Sequence, residues 1–183
     1  LRTQDRQIAR RFTEVAQRKF DLRLNSQVLS VSPDGDGVRM EVSTADGTDT
    51  LVAEKLLLAT GRSSNADRLD VQNSGIAVNG RGFISTNEYL ETSVPGVWAL
   101  GDIVGRYLLK HSANLEAAYA GHNMFNADNQ VAVDYNAMPA AVFSSPQVAS
   151  VGITEQEAEK AGTRYVAATY DYSDTAYGQS IED

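Results

Sequence analysis

Two apolar runs in this sequence each end in a glycine followed by a charged side chain. The run KLLLATG leads into Gly61-Arg62, and GVWALGD ends at Gly101-Asp102. Continuous apolar runs are typical of strands covered on both faces, and open α/β sheets bind ligands outside the carboxyl ends of such strands. A single end of this kind is most simply a tight turn. Two of them, the second followed by a helix of small residues, favour a cofactor site.

Other kinds of chemistry find little support in the composition. The 183 residues include no cysteine, which excludes disulfides, thiol catalysis and thiolate metal ligands within them. The two histidines, His111 and His122, are not spaced like a metal-binding pair, so no metal site is expected. A net charge of -8 argues against sequence-independent binding to nucleic acid or to an anionic membrane. With no membrane-spanning stretch or signal peptide, we expect a soluble, cytoplasmic protein.

The elements before the second turn are a helix and several short strands. TQDRQIARRFTEVAQRKF places apolar residues at helical intervals, with Thr3 or Asp5 as the candidate cap. The stretch from Val28 to Leu58 predicts an antiparallel meander, because Asp-Gly pairs separate its alternating apolar residues. GIAVNGRGFISTN predicts another short pair of strands around a glycine-rich turn. The apolar runs KLLLATG and GVWALGD predict strands covered on both faces.

The elements after the second turn begin with a predicted helix from Ser112 to Phe125. The face expected to lie against a sheet consists of Ala113, Ala117, Ala120 and Met124. PAAVFSSPQVASV then predicts two strand-like pieces, followed by a helix with a Thr154/Glu157 capping box and a stop at Gly162. YVAATYDYS alternates like a strand but has no partner in the sequence. We therefore expect a piece of a larger protein.

Three segments resemble the pyridine-nucleotide disulfide oxidoreductases, in the same order and at the same spacings. They are KLLLATGRSSN, TSVPGVWALGDIVG and PAAVFSSPQVASVGITEQEA, and the resemblance covers essentially the whole chain. It implies an α/β fold that forms part of a flavoprotein reductase with two dinucleotide-binding domains. Residues 1–62 would be the later part of the NAD(P)-binding domain and 63–134 the later part of the FAD-binding domain. Residues 135–183 would begin the α+β interface, or dimerisation, domain.

Two finer features point within this family. LLKHSANLEA and DYSDTAYGQSIED are most similar to the mycothione reductase branch, although dihydrolipoamide dehydrogenases share a leucine-x-histidine in the first segment. The resemblance implies a homodimer that passes hydride from NADPH to FAD, then electrons to a redox disulfide and on to a low-molecular-weight disulfide. Dihydrolipoamide dehydrogenase, or another family member, is the alternative.

The resemblance places the flavin contacts around the second glycine-polar pair. It implies that Asp102 accepts a hydrogen bond from a ribityl hydroxyl of FAD and that Gly101 lets the backbone approach closely. A helix beginning at about Ser112 would direct its N-terminal N–H groups toward negative charge on the reduced flavin. The segment whose backbone is expected to lie against the flavin ring consists of Leu108, Leu109, Lys110 and His111. For the His111 imidazole itself we expect no chemistry.

The resemblance also places contacts to NADPH. Arg2 matches a position at which NADPH-specific members place an arginine near the 2′-phosphate, and a guanidinium pairs well with phosphate oxygens. The alternative is a solvated arginine at a helix start. Val28 and Gly61 match backbone contacts to the dinucleotide, and either is equally well explained as a plain strand residue.

The chain also departs from the family pattern. The glycine-rich phosphate loops and the redox-active cysteine pair are missing, and the family's histidine-glutamate pair would lie beyond Asp183. No catalytic residue is therefore predicted within these residues. A hypothesis of a different class is a truncated, non-catalytic module for dimerisation or interaction.

Overall fold

The structure, a computed structural model, describes residues 1–180 and divides the chain into two compact units. One unit joins Leu1–Arg18 to the chain from Asn136 onward, and the other is Lys19–Tyr135. Helices and strands are mixed along the chain, which confirms the α/β class. In chain order the elements are helix α1 (Arg6–Gln17), strands β1 (Gln27–Asp34), β2 (Gly37–Thr44) and β3 (Gly47–Ala53), helix α2 (Lys110–Phe125), strands β4 (Pro139–Val142) and β5 (Val148–Val151), and helices α3 (Glu155–Ala161) and α4 (Ala176–Ser180).

Helix α1 begins as its sequence predicts, and Asp5 is the cap. The Asp5 carboxylate accepts a hydrogen bond from the N–H of Gln7 at 2.8 Å, which satisfies one of the free donors of the first turn. The second Asp5 oxygen accepts from the N–H of Glu155, the first residue of α3, at 3.2 Å. The side chain of Gln156 donates to the carbonyl of Gln4 at 3.0 Å. Residues 1–18 are thereby joined to the later part of the chain.

Strands β1 to β3 form the predicted antiparallel meander. Asp34 pairs with Gly37, which leaves a two-residue turn whose first residue, Gly35, has φ +59°. A positive φ at this position suits the tight hairpin turns that glycine favours. Met40 of β2 pairs with Leu51 of β3, and the sheet ends at Ala53 rather than at the predicted Leu58.

The prediction of two strands covered on both faces is wrong for the part of the chain that the structure describes. The segment KLLLATG is irregular and leaves Leu57 87% exposed and Leu58 75% exposed. A central strand needs neighbours on both edges, and none of the strands described within residues 1–180 pairs with this segment. In the second segment, Trp98 makes one antiparallel bridge to Glu91 and Ala99 is 8% exposed. That segment is extended and half-covered, without forming a full strand.

A small core lies beneath the second segment, within the Lys19–Tyr135 unit. The predicted strand pair GIAVNGRGFISTN is reduced to one bridge between Val78 and Ile84 around a turn at Gly82, which has φ +79°. The N–H of Ile84 bonds to the carbonyl of Ile103 at 3.0 Å, so this hairpin supports the turn that follows Ala99. The buried members of the cluster are Ala66, Val71, Ile84 and Ala99.

Helix α2 is confirmed, but its buried face differs from the prediction. The buried residues are Ser112, Glu116, Ala120 and Asn123. Of the predicted face only Ala120 is buried, while Ala117 and Met124 are exposed. The polar face is buried because its groups find partners: the Asn123 amide bonds to the backbone of Tyr89 and of Val131. Periodicity of small apolar residues does not reveal such partners.

The unit that includes Asn136 onward contains the predicted strand pair and capped helix. Strands β4 and β5 pair antiparallel, with Ala141 opposite Ala149. Thr154 and Glu157 form the capping box of α3, and Gly162 ends the helix at φ +67°. The alternating segment YVAATYDYS is not a strand, because no strand among the described residues pairs with it. The last three residues of the DYSDTAYGQSIED motif, 181–183, lie outside the described residues.

Candidate cofactor site

The two glycine-polar pairs meet in the structure. A guanidinium nitrogen of Arg62 forms an ion pair and hydrogen bond with a carboxylate oxygen of Asp102, 40 residues later in the sequence. Both side chains remain partly exposed, so the pair itself contributes at most about 1 kcal/mol to stability. From the sequence, Arg62 stood out only as the charged residue after Gly61, and no role in the site was predicted for it. This meeting point forms one side of the candidate site.

The turn at Gly101 has a structural requirement of its own. Gly101 begins a 3₁₀ turn that extends to Ile103 and has φ +75°, a conformation that favours glycine. A Cβ atom at this position would lie 3.3 Å from the Cβ of Ala113 in α2. The family resemblance implied that Gly101 lets the backbone approach a ligand closely. Packing of the turn against α2 supplies an independent reason within the chain.

The amino terminus of α2 lies in the segment predicted to face the flavin ring. Leu108 is left-handed, with φ +58°, and Leu109 is extended and occupies the cap position without a capping side chain. The carbonyl of Leu109 accepts from the Ser112 hydroxyl at 2.7 Å. Lys110 is exposed and His111 is half-buried in the first turn. The N-terminal amides of a 16-residue helix without a side-chain cap are suited to stabilise negative charge.

Glu116 and Tyr135 connect this turn to the helix, and neither was predicted from the sequence as a site residue. Glu116 is 1% exposed and accepts hydrogen bonds from the Gly101 N–H at 2.5 Å and from the Tyr135 hydroxyl at 2.9 Å. Burial, followed by the hydrogen bond to Glu116, raises the pKa of Tyr135 above its ordinary value. The sequence feature that could have indicated Glu116 is its position: an acidic residue one helical turn after Ser112, on a helix face of small side chains.

The three predicted nucleotide contacts are divided between the two compact units. Arg2 is exposed and belongs to the unit that contains α1 and α3. Val28 lies in β1 opposite Val42 and is half exposed, and Gly61 has φ +110° with open space beside it. The last two belong to the Lys19–Tyr135 unit. Their roles in nucleotide binding stay predictions.

A cavity of about 280 Å³ lies beside the same network in the Lys19–Tyr135 unit. Its charged lining comes from Glu88 and Arg106, and Tyr135 forms part of its wall. The remaining lining residues are Thr86, Asn87, Leu90, Val104 and Val133.

Within residues 1–180 no three histidine, aspartate or glutamate side chains are arranged to hold a metal ion. No helix of this described part is long and apolar enough to cross a bilayer.

Comparison with known protein families identifies the chain. The family described as "Pyridine nucleotide-disulphide oxidoreductase" matches residues 1–124, and the dimerisation domain of the same family matches residues 138–183. This chain belongs to the pyridine nucleotide-disulphide oxidoreductase family. The resemblance stated from the sequence is thereby confirmed. Members of this family are enzymes that bind FAD and a pyridine nucleotide.

The chain is similar to two named enzymes and to one solved structure. It is 42% identical over 187 residues to mycothione reductase from Mycobacterium tuberculosis, covering 100% of this chain and 40% of the relative. It is 36% identical over 148 residues to dihydrolipoyl dehydrogenase from Geobacillus stearothermophilus, covering 81% and 31%. The copper(II) complex of the HOCl-induced flavoprotein disulfide reductase RclA from Escherichia coli superimposes with a TM-score of 0.84 at 26% identity, covering 100% and 41%. The chain thus spans about 40% of the length of the mycothione reductase it matches.

Proposed function

We propose that this chain is part of an FAD-dependent, NADPH-using reductase of mycothiol disulfide. The observation that carries the proposal is 42% identity over the entire chain to mycothione reductase. The similarity to dihydrolipoyl dehydrogenase is lower, at 36%, and covers 81% of the chain. The redox-active cysteines of such an enzyme must come from residues outside these 183, because the chain has none.

The residues at the candidate site fit FAD. The Asp102 carboxylate is partly exposed and is an acceptor for a ribityl hydroxyl, and its partner Arg62 leaves it further lone pairs. The α2 terminus has no side-chain cap, so its amides suit an electron-rich ring edge. Leu108 and Leu109 turn the backbone immediately before those amides. When bound, FAD supplies the two-electron redox chemistry that connects nicotinamide with a disulfide.

The domain assignment belongs to the same proposal. Residues 1–62 would contribute to the NAD(P)-binding domain, 63–134 to the FAD-binding domain and 135–183 to the interface domain. Arg2 would pair with the 2′-phosphate of NADPH, and Val28 and Gly61 would contact the dinucleotide through their backbones. The match of residues 138–183 to a dimerisation domain supports a homodimer. The cytoplasmic location stays a prediction from the sequence.

The proposed function is tested on the longer protein that contains this chain. Purified protein is loaded with FAD, and NADPH oxidation is followed with mycothiol disulfide and with oxidised lipoamide as alternative substrates. We expect a higher kcat/KM for mycothiol disulfide, with NADPH preferred to NADH. A preference for lipoamide and NAD(H) would assign the chain to the dihydrolipoyl dehydrogenases. Absence of bound flavin and of turnover would favour a non-catalytic dimerisation module.

A further inference from the structure

Glu116 is a buried carboxylate whose two oxygens have different partners. It lies in the middle of α2 and is 1% exposed. One oxygen accepts from the backbone N–H of Gly101 at 2.5 Å, and the other accepts from the Tyr135 hydroxyl at 2.9 Å. A buried carboxylate is costly unless hydrogen bonds replace its lost hydration. The arrangement of these three groups is therefore tightly constrained.

The first of these hydrogen bonds joins the two parts of the candidate flavin site. Gly101 directly precedes Asp102, and Glu116 lies on the helix whose first turn contains Lys110 and His111. The bond therefore fixes the turn that bears Asp102 relative to the amino-terminal half of α2. The close approach of Gly101 to Ala113 limits movement of the turn toward the helix.

The second hydrogen bond, from Tyr135 to Glu116, involves a residue that also contacts the loop between Asp102 and Leu108. The ring of Tyr135 lies 5.4 Å from the ring of Tyr107, at an angle of 31°, and the guanidinium of Arg106 lies 3.9 Å from its centre. Both residues belong to the loop between Asp102 and Leu108. Tyr135 thus contacts that loop while its hydroxyl bonds to Glu116. Its raised pKa extends to higher pH the range over which the phenol stays protonated and able to donate.

We propose that Glu116, supported by Tyr135, is a positioning residue that sets the spacing between Asp102 and the Leu108–His111 segment for the flavin. The proposal rests on the proposed function, since it requires FAD at this site. Glu116 touches no reacting atom in it. Its role is exerted through the Gly101 turn and the first turn of α2.

The first test compares two substitutions of Glu116 in the full-length protein. Glu116→Ala removes both acceptors, whereas Glu116→Gln keeps an oxygen for Gly101 and an amide that pairs with the Tyr135 hydroxyl. The apoprotein is titrated with FAD, and the flavin midpoint potential is measured in parallel. We expect Glu116→Ala to weaken FAD binding about ten-fold or more and to shift the potential, since a charge-assisted hydrogen bond is lost. Glu116→Gln should restore most of both quantities. Equal losses in the two variants, or no loss in either, would overturn the positioning role.

The second test uses Tyr135→Phe, with Tyr119→Phe as the matched control. Tyr119 is a half-buried tyrosine of α2 outside the Glu116 contacts, so the loss of its hydroxyl should leave the flavin unaffected. We expect Tyr135→Phe to weaken FAD binding about three-fold, because Glu116 loses one of its two donors. This comparison decides the matter if Glu116→Ala does not fold, and identical behaviour of the two tyrosine variants would overturn the inference. Wild-type protein that binds no FAD would contradict the proposed function itself.

Discussion

Two segments of the Lys19–Tyr135 unit lead into a glycine and a charged residue, but their surroundings differ. The segment ending at Asp102 is held by neighbours close in sequence: the N–H of Ala99 bonds to the carbonyl of Leu90 at 3.0 Å. The segment ending at Arg62 has no strand beside it within residues 1–180, and Leu57 and Leu58 are exposed. Partners close in sequence thus hold one segment in an extended, half-covered form, whereas no strand within residues 1–180 covers the apolar side chains of the other. The surroundings of the segment before Asp102 can be described within these residues. Whether the segment before Arg62 becomes covered has to be tested in a longer chain.

The largest expected effect concerns the 183 residues in isolation. We expect no disulfide reductase activity, because a disulfide is attacked by a thiolate and the chain has no cysteine. The exposed segment around Leu57 should also promote aggregation. The purified polypeptide is assayed with NADPH and a disulfide, and its state is followed by light scattering. A yellow, monodisperse preparation that turns over a disulfide would contradict both expectations.

Leu57→Ala tests whether the segment KLLLATG is covered in the longer protein but exposed in the 183-residue chain. If the KLLLATG segment becomes a covered strand in the longer protein, the substitution should lower the free energy of unfolding there by about 2–5 kcal/mol. In the 183-residue chain, where Leu57 is 87% exposed, the change should stay within about 0.5 kcal/mol. Denaturant unfolding gives the two values, with the 183-residue chain measured at concentrations at which light scattering detects no aggregate. A small change in the longer protein would mean that this segment stays uncovered.

Asp102→Ala tests the segment that is held by partners within these residues. In the full-length protein the ribityl hydroxyl should lose a charge-assisted partner worth about 1.5–3 kcal/mol of FAD binding. Flavin absorbance after dialysis reports the loss. Asp128→Ala is the matched control, because Asp128 is an exposed aspartate of the same unit at the opposite end of α2. Equal flavin retention in both variants would remove Asp102 from the site.

Arg2→Ala separates the nucleotide contacts from the flavin contacts. If Arg2 pairs with the 2′-phosphate, the substitution in the full-length protein should raise the KM for NADPH and leave that for NADH nearly unchanged. Steady-state kinetics with both nucleotides provide the measurement. A similar increase for both would reduce Arg2 to a solvated residue before α1.

The smallest effect is expected at the capping box of α3. Hydrogen bonds from the backbone and the side chain of Thr154 hold the pKa of Glu157 below its ordinary value of 4.5. Because the pKa is lower in the folded state, the ionised side chain stabilises the fold at pH values above the ordinary pKa. This contribution is lost as the pH falls through the lowered pKa. Glu157→Gln should therefore be slightly less stable than wild type at pH 7 and equal to it in acid. Thermal unfolding at several pH values checks this, and a constant difference would exclude the charge of Glu157 as the cause.

The features that sequence predicted well are those whose partners are near in the chain. Asp5 and Gln7, or Thr154 and Glu157, stand two and three residues apart, so their caps are visible in the sequence. The predicted buried face of α2 was wrong because the partners of the face that is buried are distant in the sequence. Tyr135, for example, lies 19 residues after Glu116. At the candidate site, the turn at Gly101 and Asp102 is visible in the sequence, and the role of Asp102 stays a prediction. The ion pair of Asp102 with Arg62 and the hydrogen bond from Gly101 to Glu116 depend on tertiary packing that no local pattern encodes.

The most direct test of the account is the distance between the Asp102 carboxylate and the flavin in the FAD-loaded, full-length protein. A crystal structure should place one Asp102 oxygen about 2.7 Å from a ribityl hydroxyl, the usual distance for such a hydrogen bond. The same structure should show the first turn of α2 directed at the flavin ring, with Glu116 still bonded to Gly101. A flavin bound elsewhere, with Asp102 in contact with Arg62 and no ribityl hydroxyl, would contradict the assignment of this turn as the cofactor site.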